Sequence, residues 1–185
     1  MDSPSTAQPA APQARTQGRL ALVLGVAGAI VVADLLTKLA AVAWLENEEP
    51  VRLLGGIAEL DVTRNSGAAF SIGTGYTVVF PLIAIVVAAV VIHQARRLTS
   101  TAWAITLGAL LGGALGNLGC RIFRDPGVLR GHVVDFVEIG SFPVFNVADS
   151  AITLAAVALI ALSVLGIGLD GRRAHRDEDA EVDGA

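Results

Sequence analysis

Two aspartates stand where the sequence turns apolar: Asp135 in "GHVVDF" and, fourteen residues on, Asp149 in "FNVADSAIT". Charge inside a bilayer is costly, so an ionisable side chain in a lipid-soluble stretch is a functional candidate by default. Two carboxylates held together in a partly desolvated site cannot both ionise cheaply, and they share one proton. The ionised member can take a proton from water as that water attacks an amide carbonyl. The protonated member can hydrogen-bond the carbonyl oxygen and then help protonate the leaving nitrogen. That is aspartic-peptidase chemistry, and it calls for no cofactor and no metal. Each aspartate alone has a plainer use. Asp149 suits the N-terminal dipole of a helix, and Asp135 could be an ordinary loop carboxylate. Proton-coupled transport is the competing use of the pair.

The elements that must hold these residues are apolar helices. The 185-residue chain is 54% hydrophobic with a mean hydropathy of +0.65, far above a soluble domain of ordinary composition. Four stretches are long and apolar enough to span: Leu20–Leu45, Thr77–Ala95, Thr101–Leu118 and Val144–Leu169. Residues 1–18, rich in Pro, Ala and Ser, read as a disordered cytoplasmic arm, too polar and long for the n-region of a cleaved signal peptide. Residues 170–185 read as an acidic cytoplasmic tail, with the membrane domain between them at 19–169. A net charge of −4 offers no basic surface for nucleic acid, and one cysteine, Cys120, excludes an internal disulfide framework. His93, His132 and His175 lack metal-ligand spacing. The expected fold is an α-helical polytopic membrane protein. It has four transmembrane helices and a small extracytoplasmic β-rich element between helices 1 and 2, drawn from the Gly-rich, partly alternating segment Arg52–Gly73.

Charge sets the orientation. With the N-terminus cytoplasmic, seven arginines lie inside (15, 19, 96, 97, 172, 173 and 176) against five outside (52, 64, 121, 124 and 130). Asp34 then lies about 21 Å along the first span, at 1.5 Å per residue, with Lys38 one turn further out. Asn117 falls at the outer end of the third span and Asp149 near the outer start of the fourth. All the intramembrane polar groups therefore gather at one face, which leaves no polar path across the bilayer for a transporter. Asp34 and Lys38, four residues apart, form a natural internal ion pair. Asn117 and Asn146 can serve as hydrogen-bond glue between helices, and the glycines of "LGALLGGALG" permit close helix packing. No neighbouring base marks Cys120 as a nucleophile.

The sequence resembles the lipoprotein signal peptidases (signal peptidase II), bacterial membrane aspartic peptidases. Five blocks in order carry the resemblance: "DLLTK" at 34–38, "RNSGAAFSI" at 64–72, "GGALGNLGCR" at 112–121, "GHVVDF" at 131–136 and "FNVADSAIT" at 145–153. The resemblance implies that Asp135 and Asp149 are the catalytic pair, and that Asn65, Asn117, Arg121 and Asn146 line the site. Asp34 and Lys38 take a supporting role. It further implies a diacylated prolipoprotein substrate drawn from membrane lipid, cleaved just before its lipid-bearing cysteine, and inhibition by globomycin-type cyclic peptides. The expected location is the bacterial cell membrane, with the site near the outer face. Cys120 departs from the family's usual G-N-x-x-D-R, where an aspartate would precede Arg121. This departure keeps open an inactive member that binds lipoproteins as a scaffold.

Overall fold

The computed structural model describes residues 12–67 and 77–173, with side chains from Arg19 onward. Helix α1 runs Pro12–Leu45, strand β1 Val51–Leu53 and β2 Ala58–Asn65. They are followed by α2 Val79–Ala95, α3 Thr101–Phe123, β3 Val133–Ile139 and α4 Val147–Val164. The first helix begins inside the segment expected to be a disordered arm. A proline suits its opening turn, because a ring-fixed φ costs nothing where no N–H partner is available. Residues 1–11 and 174–185, the rest of the expected arm and most of the tail, lie outside the described residues.

Residues Arg19–Leu45, Thr101–Phe123 and Val147–Val164 are long and apolar enough to cross a membrane, and α2 is a shorter apolar helix. Their outward side chains, among them Leu36, Val86, Leu154 and Ile160, are exposed. A surface of this kind suits lipid and not water. Together these features make a polytopic membrane protein.

Helix α3 is the hub, packed against α1, α2 and α4. Its small residues allow the approach. A Cβ on Gly112 would come within 2.8 Å of the Ala27 carbonyl oxygen on α1, and one on Gly113 within 2.6 Å of the Ala148 carbonyl oxygen on α4. Glycine here removes the side chain that would hold the backbones apart. At one end of the bundle the packing is apolar, around Val23, Val91, Ala95, Leu98, Ala104 and Leu107. The polar groups are at the other end.

A three-stranded antiparallel sheet, ordered β1-β2-β3, covers that polar end. Two of its strands come from the connection between α1 and α2, as expected. The third does not. Asp135, for which an ordinary loop position was the plainer reading, lies on β3, opposite Thr63 of β2. The partner strand is some 70 residues away, so nothing local announces the pairing. Val133, Val134, Asp135 and Phe136 are all buried, which removes the alternation that would mark a half-exposed strand. Strand β2 ends at Asn65, and the part of the expected Arg52–Gly73 element beyond Gly67 lies outside the described residues. Gly131 lets the chain re-enter beneath α3. A Cβ there would sit 2.3 Å from the Cys120 carbonyl oxygen, and its N–H bonds the Arg121 carbonyl at 3.1 Å.

Candidate active site

The start of α4 fixes one carboxylate. Asn146 is the N-cap and Asp149 the third helical residue, and each satisfies the other. The Asp149 N–H donates to Asn146 Oδ1 at 2.9 Å, and the Asn146 N–H donates to Asp149 Oδ2 at 3.2 Å. This is a capping box, which ties off two backbone donors that the helix cannot use internally. The other Asp149 oxygen, Oδ1, accepts from Asn117 Nδ2 on α3 at 2.7 Å.

The sheet fixes the second carboxylate. Asp135 on β3 is buried at 2% exposure, and both of its oxygens accept from asparagine amides. Asn65, at the end of β2, donates from Nδ2 to Oδ2 at 2.9 Å. Asn146 donates from Nδ2 to Oδ1 at 2.6 Å. The opposite oxygen of each amide is already taken by a backbone N–H, from Gly67 at 2.7 Å and from Asp149. Both amides are therefore pinned with their NH2 groups toward Asp135. Burial raises the Asp135 pKa above the usual carboxylate range, and the neighbouring Asp149 raises it further. The Asn65 and Asn146 donors and the Lys38 charge oppose that rise.

Behind the carboxylates lies a buried ion pair, both members 1% exposed. Lys38 Nζ donates to Asp34 Oδ2 at 2.7 Å and to Asn117 Oδ1 at 2.9 Å, which turns the Asn117 amide toward Asp149. The remaining Asp34 oxygen accepts the Ala148 N–H at 3.0 Å and so anchors the positive end of α4. Gly116 leaves the room for this, since a Cβ there would stand 2.7 Å from Asp34 Oδ2. Arg121 donates to the carbonyls of Gly131 at 3.0 Å and Asn65 at 3.2 Å, and its guanidinium lies 6.0 Å from the Phe80 ring centre. It joins α3, the sheet and α2 at one point.

These groups open into a cleft of about 350 Å³ between α2, α3, α4 and the sheet. Asn65, Asn117, Arg121, Asp135 and Asp149 form its polar end; Phe80, Ile83, Val87, Leu110 and Ile152 form an apolar wall. A site of this make-up can hold a peptide bond against two carboxylates while apolar groups stay out of water.

Residues 26–165 match the family described as Signal peptidase (SPase) II. The chain belongs to the signal peptidase II family. Lipoprotein signal peptidases of Rhodococcus jostii and Mycobacterium avium are 49% and 47% identical to it. The first alignment covers 93% of this chain and 86% of the relative, the second 92% and 95%. A bacterial membrane enzyme solved by the in meso method at 1.9 Å superposes with a TM-score of 0.66 at 26% identity, over 75% of this chain and 90% of its own.

The structure brings together Asp34, Lys38, Asn65, Asn117, Arg121, Asp135, Asn146 and Asp149. Asn146, expected to line the site, is fully buried and stands behind the carboxylates as the strut between them. Cys120 is buried near the end of α3, outside the cleft wall. The apolar wall from α2 went unread, because that helix is apolar on every side and its pattern marks no face. Gly67 and Gly131 were also missed. Their roles are backbone contacts with Asn65 and Arg121, for which the sequence carries only the glycines themselves.

Proposed function

We propose that this chain is a four-span membrane aspartic endopeptidase, with Asp135 and Asp149 as its catalytic pair. It removes signal peptides from prolipoproteins by cutting just before the lipobox cysteine that carries diacylglycerol. One observation carries the residue assignment: two carboxylates, braced by Asn65, Asn117 and Asn146, share the polar end of an otherwise apolar cleft. Burial favours Asp135 as the holder of the shared proton. Water between the carboxylates gives a proton to the ionised Asp149 as its oxygen bonds to the scissile carbonyl carbon, and a proton from the pair passes to the leaving nitrogen as the C–N bond breaks. Asn65, Asn117 and Asn146 hold the carboxylates in place, Arg121 shapes the cleft's rim, and Asp34 with Lys38 supports Asn117 from behind.

In this reading the membrane domain is 19–169, both termini are cytoplasmic and the sheet lies at the outer face, an orientation supported by the arginines at 15, 19, 96, 97, 172 and 173. In that orientation the scissile bond lies at the interface, where water reaches it, and the acyl chains extend to membrane depth. Globomycin-type cyclic peptides would compete for the same cleft. The test is cleavage of a purified prolipoprotein in lipid, with and without its diacylglyceryl group. Release of the signal peptide from the lipidated form alone supports the assignment. Equal cleavage of the unlipidated form would refute the substrate, and no cleavage of either would refute the activity.

A further inference from the structure

Helices α2 and α4 both pack on α3 but scarcely on each other. Between them, below the catalytic cleft, runs a second groove of about 310 Å³. Val87 and Leu110 line both cavities, so the groove continues the cleft toward the opposite end of the bundle. Gln94, Trp103 and Leu169 stand at its far end, where the indole N–H is already bonded to the Ile167 carbonyl at 2.9 Å.

The size of the groove decides its occupant. Val86 to Gln94 is about 12 Å of helix, so 310 Å³ corresponds to a mean cross-section of about 26 Å². A substrate helix, about 10–12 Å across, needs roughly 80–110 Å². A single hydrocarbon chain can be enclosed there, and a helix cannot. From Phe80 to Gln94 the two cavities together span about 21 Å, longer than the ~15 Å depth of one bilayer leaflet. A chain of ordinary membrane length that starts at the carboxylates therefore passes Val87 and reaches the second groove.

We propose that one acyl chain of the substrate's diacylglyceryl cysteine lies in this groove, running between α2 and α4 from the carboxylates toward Trp103. The proposal rests on the reading of the cleft as the site of a lipidated prolipoprotein. A chain that leaves the bilayer for the groove exchanges one apolar setting for another, so burial itself adds little affinity. The groove positions the cysteine and acts by fit. Long chains are admitted when the groove is open and excluded when it is filled.

The test compares synthetic prolipopeptides bearing dioctanoyl- or dipalmitoyl-glyceryl cysteine on the full-length protein and on Val90→Trp. Val90 lines the second groove only, is 56% exposed, and touches neither carboxylate. The expected result is a kcat/KM about tenfold lower for the dipalmitoyl peptide on Val90→Trp, with the dioctanoyl peptide unchanged. Equal kcat/KM values on both proteins, or equal loss with both peptides, overturn the proposal and leave the function reading intact. Failure of the unmodified protein to cleave either peptide would take the function reading down together with it. A second measurement avoids the variant: a diazirine at the end of the acyl chain, photolysed on Asp149→Asn protein. Adducts at Leu107, Trp103 or Gln94 support the groove. Adducts confined to outward residues such as Leu154 and Val157 place the chain in the bilayer and overturn it. Labelling of the groove from the signal helix, or equally by a diazirine phospholipid, would assign it another occupant.

Discussion

Asn146 is the side chain on which the two halves of the site meet, and replacing it should separate its two jobs. Asn146→Ala removes the N-cap of α4, worth about 1 kcal/mol, and the 2.6 Å hydrogen bond to Asp135, worth about 1.5–3 kcal/mol at a pH high enough for Asp135 to be ionised. The expected destabilisation is about 2.5–4 kcal/mol, below simple addition if the network relaxes. Asn146→Ser keeps a capping oxygen but cannot reach Asp135, so it should recover the cap's share of stability and none of the lost activity. The proton effect has a definite sign. A donor to the carboxylate favours its charged form, so losing that donor raises the Asp135 pKa further. In the proposed mechanism Asp135 enters turnover protonated, so the alkaline limb of the pH–rate profile should move to higher pH. With the carboxylate no longer braced, kcat should fall about a hundredfold. The assays are denaturant unfolding in detergent and prolipoprotein cleavage across pH. Wild-type rates and an unshifted profile for both variants would reduce Asn146 to a cap and refute its role as a strut.

Lys38→Met leaves Asp34 buried and unpaired and should cost about 3–5 kcal/mol, read as a lowered unfolding midpoint. Asp34→Asn in the same background should recover part of it. For Asp135, burial puts the folded pKa above the unfolded one, so the folded state binds more protons between the two values. Its contribution to stability is present below the ordinary carboxylate range and lost as pH rises through the raised value. Asp135→Asn should flatten that slope in unfolding midpoints measured against pH. Cys120→Ser should leave cleavage within about threefold of wild type, because the thiol lies outside the cleft and serine is close to it in size. A dead serine variant beside active Asp135 variants would make the thiol the nucleophile.

Much of this arrangement is legible in the sequence, and for identifiable reasons. Asp149 stands out because it interrupts an apolar run, and the spacing of Asn146 and Asp149 is the one a capping box needs. Asp34 and Lys38 are legible because one helical turn separates them. The polar residues gather at one end because helix direction alternates, a rule that needs no structure. What stayed hidden was non-local. The pairing of β3 with β2 depends on residues far apart in the chain. Burial on both faces erases the alternation that would have marked Asp135 as a strand residue. The division of labour between Asn65 and Asn146 depends on which backbone N–H each amide oxygen meets, and no local pattern encodes that. The apolar wall of the cleft was illegible for the opposite reason: α2 is apolar on every side from Val79 to Ile92, so lipid-facing and cleft-facing positions look alike.

The central claim is that Asp135 and Asp149 act as one proton-sharing pair. Its most direct measurement is cleavage of a diacylated prolipoprotein by Asp135→Asn and by Asp149→Asn, each shown to be folded, with wild type alongside in the presence of a chelator. Each amide keeps the shape of the carboxylate but cannot carry the proton. Both variants should therefore be inactive, while wild type is unaffected by the chelator. Turnover by either variant within about tenfold of wild type, or loss of wild-type activity on chelation, would contradict the account.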